Sequence, residues 1–278
     1  MKLLKIEWNK IFYYKAARVF TIIYFLILIL VALILANIKP EIGGVKLNIV
    51  KMGMFNFPVI WQNIGYIFAI VKIFLGVIII TNVTAEFSNS TLKQNLIDGL
   101  TKKEFLTSKM LTNLIFALLS TLFVFGITVS LGLLFSTNTA HIFEGIEFLG
   151  AYFLKMMLFF SICLFLAILL KRSAFAFLGL IVLWMAEGGL TLLEFGIKML
   201  MGKSIEDVTP YDFYLTNYLP LNVSSKLVDF PGIKIEGFVM GGTIFNLGSI
   251  DISYIIAAVI YFIGFSYLSY WLLKRRDL

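Results

Sequence analysis

The sequence predicts an all-α integral membrane protein with six transmembrane helices, on three observations. The first is composition: 60% of the 278 residues are hydrophobic, 28 of them Phe, and the mean hydropathy is +0.96. Soluble domains are about 45–50% apolar. The second is the spacing of the apolar runs, six of which reach the roughly 20 residues that cross a bilayer. The third is where the positive charges fall. The segments 1–18, 84–109, 171–173 and 274–278 carry 14 Lys and Arg, against 7 on the longer segments 39–59, 136–148 and 195–251. That asymmetry places both termini on the cytoplasmic side. It also accounts for the net charge of +7, so no nucleic-acid partner is needed to explain it. The single cysteine, Cys163, lies in an apolar run and excludes an internal disulfide, which fits a bacterial inner membrane.

Residues 1–18 are expected to form an amphipathic interfacial helix retained in the mature chain. Leu4, Trp8, Ile11 and Phe12 share one helical face, with Lys5, Asn9 and Tyr13 away from it. Predicted spans follow at 19–38, 60–83, 110–135, 149–170, 174–194 and 252–273, with the fourth and fifth parted only by the basic turn KRS. The segment 195–251 is too polar to cross again and is punctuated by Gly, Pro and Asn. It is expected to form an extracytoplasmic cap of short helices on the outer ends of spans five and six. The whole chain, 1–278, reads as a single transmembrane domain.

The segment 84–109, TAEFSNSTLKQNLIDGLTKKEFLTSK, is polar, helix-forming and on the basic side. The SNS at 88–90 offers N-caps for a helix beginning near Thr91. Gly99 suits a left-handed helix end, and Thr101 to Glu104 matches a capping box that starts a second helix leading into span three. Leu92 and Leu96, four apart, make one small apolar face, with Lys93, Gln94 and Asn95 around it. A polar, helix-forming stretch of this kind between two spans suits a docking element for a soluble partner.

This order resembles the ABC-2 type permeases, the membrane subunits of many bacterial ATP-driven exporters. The resemblance rests on Glu86–Phe87, TLKQNLIDG from Thr91 to Gly99, and KKEF…SK from Lys102 to Lys109, with Thr101–Lys102 in place of a frequent Ser–Arg. The layout of six spans, an amphipathic N-terminal helix, inside termini and a large outer loop between spans five and six extends it over nearly the full length. It implies that 84–109 holds a cytoplasmic coupling helix that docks soluble ATPase subunits through Glu86, Thr91, Lys93, Gln94, Asn95 and Asp98. It further implies two such ATPases, which bind ATP and Mg, and a pore completed by a second copy or a related permease. The cargo expected for aromatic-rich spans is hydrophobic or amphipathic: a peptide, a drug-like molecule or a lipid.

Charges fall inside the spans at Lys72 in the second, Lys155 in the fourth and Glu187 in the fifth. An intramembrane charge costs about 2.5–3.5 kcal/mol or more and marks a site or a buried pair. Lys72 and Glu187 therefore either pair structurally or line a translocation path, as spans two and five do in the resembled family. The EGG at Glu187 to Gly189 would let helices approach closely or the span break. Chemistry of the chain's own is not expected. The GKS at 202–204 lacks the Gly of a phosphate-binding loop, where Ile197 stands, and His141 is alone. Two other readings remain open: an ion-coupled carrier working through Lys72 and Glu187, and a membrane anchor or signalling subunit for an ATPase that transports nothing.

Overall fold

The computed structural model describes residues 13, 15–38, 41–42, 45–46, 50, 52–201, 215–233 and 245–275. Most of the expected interfacial helix, and the stretches 202–214 and 234–244 of the expected cap, lie outside them. The described chain is almost wholly helical. In order it forms α1 (Lys15–Asn37), α2 (Ile60–Ile70), α3 (Ile73–Ser88), α4 (Thr91–Ile97), α5 (Lys102–Phe135), α6 (Glu147–Leu170) and α7 (Ser173–Leu200). A 3-10 turn (Leu215–Tyr218), α8 (Pro220–Lys226) and α9 (Ile252–Arg275) complete it. Two antiparallel ladders of two-residue strands, Glu41–Ile42 with Val45–Lys46 and Gly232–Ile233 with Phe245–Asn246, are the only strands among the described residues.

Five helices are long and apolar enough to cross a membrane: α1, α5, α6, α7 and α9. The expected second span is a bent pair instead. α2 and α3 meet at 44° about Val71 and Lys72, and together they too meet that criterion. No proline makes the bend. Lys72 sits at the break, where its side chain reaches a neighbouring segment described below.

α6 is the centre. It packs against α2, α3, α5, α7, α8 and α9, and every residue from Lys155 to Leu164 is buried. A helix buried all round needs apolar residues all round, which the MMLFFSICLF of α6 supplies. Around it a hydroxyl cluster ties three spans. Ser120 of α5 lies 2.9 Å from the Tyr152 hydroxyl of α6 and also bonds the Tyr24 hydroxyl of α1, with the two tyrosine oxygens 3.2 Å apart. In an apolar interior such hydroxyls must satisfy one another. At Gly76 of α3 an added Cβ would come within 2.8 Å of the Phe159 ring, so this close α3–α6 approach requires glycine.

Two expectations change. α7 does not break at Glu187–Gly189 but runs on to Leu200, and no heavy atom stands within 4 Å of an added Cβ at Gly188 or Gly189. The close approach therefore does not occur there among the described residues. The segment after α7 also does not simply cover the ends of spans five and six: α8 folds back among α6, α7 and α9.

Candidate functional site

The two ends of the bundle carry separate constellations. At one end α3, α4 and α5 form a helix, a short helix and a re-entering helix. The Leu96 carbonyl accepts from Gly99 N at 3.2 Å and the Asn95 carbonyl from Leu100 N at 2.9 Å, a Schellman pair closing α4. Gly99 has φ +101°, a conformation side chains with a Cβ rarely adopt. The expected capping box is complete: Thr101 Oγ1 accepts from Glu104 N, and Glu104 Oε2 accepts from Thr101 N at 2.9 Å. The SNS expectation is met only in position. Ser90 is the N-cap but stands at φ 57° without a side-chain capping bond.

Leu92 is buried and Leu96 half-buried against the core, so α4 rests on the bundle through its Leu92–Leu96 face. Thr91, Lys93, Gln94 and Asp98 are exposed and Asn95 is half-buried. Ile97, which the sequence reading passed over, is 77% exposed and adds an apolar side chain to the outward surface. Glu86 differs from the other expected docking residues. It is buried and forms an ion pair with Lys109 of α5, whose Nζ also reaches Asn82 Oδ1 at 3.4 Å. Its role in the fold is to join α3 to α5 on either side of α4.

At the other end, three intramembrane charges converge on α8. Glu187 accepts from Leu221 N at 3.0 Å and Asn222 N at 2.9 Å, satisfying amides at the start of α8. Lys155 donates to the Ser225 and Val228 carbonyls, at 3.2 and 3.0 Å, at its far end. Lys72 donates to Ser224 Oγ at 3.2 Å and stands 4.8 Å from the centre of the Phe159 ring. A carboxylate at exposed amides and an ammonium at exposed carbonyls are the favourable arrangement for the two helix ends. By helical rise, Lys72 lies about 18 Å along the α2–α3 pair and Glu187 about 21 Å along α7. α8 is therefore held at the depth of the apolar helices rather than over their ends.

A polar stripe on α7 extends this hold. Thr191 Oγ1 accepts from Asn222 Nδ2 at 3.2 Å, and Glu194 accepts from Leu215 N and Thr216 N at 2.8 and 2.9 Å. Gln62 of α2 joins in from the opposite side, donating to the Asp229 carbonyl at 3.1 Å and accepting from Gly248 N at 2.7 Å. Lys155, Glu194 and Gln62 were not singled out from sequence as sites. The signal for Glu194 was available, because Glu187, Thr191 and Glu194 recur at i, i+4 and i+7 on one helix face. Lys72 and Glu187 are not within ion-pair distance of each other; each instead grips α8.

Beside this assembly is a cavity of about 540 Å³ lined by Lys72, Lys155, Tyr66, Phe159, Trp184 and Asp229, among others. Glu187 does not line it. A smaller polar recess of about 330 Å³ lies at the α4 end, where Glu86, Ser88, Ser90 and Lys93 face Lys171 and Arg172 of the α6–α7 turn.

No model of a known protein family matches the chain, and no curated protein matches it.

Proposed function

We propose that this chain is the membrane-spanning permease subunit of an ATP-driven ABC exporter. In this reading two soluble ATPases bind ATP and Mg and dock on α4, and a second copy or a related permease completes the pore. The protein sits in a bacterial inner membrane with both termini cytoplasmic. The observation that carries the reading is the build of α4. Leu92 and Leu96 seat it on the bundle, Lys93, Gln94, Ile97 and Asp98 point outward, and a buried ion pair joins the two longer helices that flank it. A short helix braced in this way can pass a push from a docked partner into α3 and α5, which a solvated loop cannot. Movement of α3 and α5 would then alternate access for a hydrophobic or amphipathic cargo.

The ion-coupled alternative asks Lys72 and Glu187 to bind and release a coupling ion. Glu187, the carboxylate such a carrier would need, is engaged by the two amides at the start of α8 and is not within ion-pair distance of Lys72, which favours the ATP-driven reading. The anchor alternative shares the docking surface and differs only in transporting nothing; substrate-dependent efflux separates it.

The test is Gln94→Pro. The amide of Gln94 donates to the Ser90 carbonyl at 3.1 Å, and proline removes that bond and clashes with the preceding turn, at about 3 kcal/mol locally. The variant is expected to insert normally but to lose the partner ATPase in a pull-down and to lose transport-linked ATP turnover. Retention of both by Gln94→Pro overturns the docking role. Lys93→Glu is expected to weaken docking less, since an exposed charge contributes about 0–1 kcal/mol.

A further inference from the structure

We propose that the cavity between the α2–α3 bend, α6 and α7 binds a single-chain anionic amphiphile, its carboxylate or phosphate head held by Lys72 and Lys155 and its tail lying towards the flank of the bundle. Charge comes first. Two ammonium groups line this cavity, and among the described residues neither has a carboxylate within 4.0 Å. The one carboxylate that also lines it, Asp229, is engaged by Lys226 at 3.0 Å and by Phe230 N at 2.9 Å. Lys155 is 4% exposed, so water does little to screen it. Each ammonium can give three hydrogen bonds. Lys72 gives one to Ser224 and Lys155 gives two to backbone carbonyls, which leaves donors for an anionic head. Positive charge held in apolar surroundings attracts an anion more strongly than the same charge in water.

Shape and surface specify the rest of the ligand. The volume falls in the range of about 300–1,000 Å³ that holds small ligands. Tyr66 and Phe159 form its inner wall, while Ile70, Ile73, Ile181 and Trp184, all more than half exposed, form its rim. The rim residues belong to helices that qualify as membrane spans, so the opening faces the flank of the bundle and not either end. A ligand entering there arrives from the lipid side, and only one with an alkyl tail and a charged head satisfies both parts. A soluble anion would leave the rim unfilled, and a neutral lipid would leave the two ammoniums unanswered. α8 closes one side through Leu221 and Ser225, so the charges that hold α8 also shape the head-group end. The assignment deepens the permease reading by naming its cargo class; the binding itself requires no ATPase and is measured without one.

The experiment uses the purified full chain in dodecyl maltoside, with tritiated palmitate detected by scintillation proximity. Palmitate and hexadecyl phosphate are expected to displace the label at similar concentrations, and hexadecanol at concentrations at least about tenfold higher. Lys72→Gln removes the charge while leaving a polar hydrogen-bond donor, and is expected to weaken palmitate binding about tenfold, whereas Lys72→Arg stays within about threefold. Lys103→Gln, at the other end of the bundle, is expected to bind as the parent does. Thermal midpoints matching the parent show that the variants are folded. The proposal is overturned by an absence of displaceable binding, as when a second copy covers the rim. Equal displacement by hexadecanol, or parental binding by Lys72→Gln, also overturns it. Failure here with ATPase docking intact removes the cargo assignment alone; binding here with no ATPase docking removes the exporter reading alone.

Discussion

The α4 end and the α8 end each place a seven-residue helix against the same bundle, by opposite means. α4 is shaped by its neighbours in sequence. Its stop is a Schellman pair at Gly99, the next helix starts at a capping box two residues later, and two leucines four apart seat it. α8 is shaped by residues far away. Its amides are met by Glu187, its terminal carbonyls by Lys155 and its middle by Lys72, which lies 152 positions before Ser224. An α8 segment without those three side chains would have polar backbone ends exposed at the depth of the spans, where unmet amides and carbonyls are costly. An α4 without long-range contacts would still have its helix stop and restart.

The comparison can be broken most severely at the buried Glu86–Lys109 pair of the α4 end. Lys109→Ala takes the Lys109 cation from beside the buried Glu86 carboxylate and is expected to destabilise the protein by about 3–5 kcal/mol. Replacing both, as Glu86→Leu with Lys109→Leu, is expected to recover much of that, and unfolding in detergent measures the difference. If the single substitution is no worse than the double, the pair does not hold α3 to α5.

Glu187→Ala comes next. Leu221 and Asn222 lose their acceptor, at about 1–3 kcal/mol for each orphaned amide. Protease cutting within 215–233 is expected to rise while cutting within 84–109 is unchanged. Equal sensitivity of both segments would show that the two ends are not held independently. Gly99→Ala is expected to cost about 1–2 kcal/mol, because the left-handed conformation at the end of α4 resists a Cβ. Its effect should appear as faster amide exchange in α4 with α8 unmoved. Smallest is Thr101→Ala, at about 1 kcal/mol for the lost cap. Combined with Glu187→Ala it should add to within about 0.3–0.5 kcal/mol, since the two share no partner. A larger coupling would mean that strain at one end reaches the other, which is what a mechanically linked permease would show.

Much of the α4 end was legible because its determinants are local. Gly99, the Thr101–Glu104 box and the Leu92–Leu96 face all act within about one helical turn, and sequence order alone brings them together. What was not legible there is that Glu86 turns inward to Lys109, a pairing 23 positions apart that depends on how α3 and α5 pack. Ile97 was hidden for the same reason, because whether an isoleucine is covered depends on what lies beside it.

The sequence by itself determined that the chain is a bundle of apolar helices, where most of them begin and end, and how α4 is capped, because hydropathy and capping chemistry are properties of neighbouring residues. Only the tertiary structure decided what Lys72, Lys155 and Glu187 do. A charge within an apolar helix announces that it needs a partner but not which one. Here the partners are backbone groups and a hydroxyl of a segment that returns from after α7, and an amide or carbonyl has no side-chain identity for a sequence to display. The cavity beside Lys72 is likewise a product of tertiary structure, since Leu221 and Ser225 of α8 close one side of it.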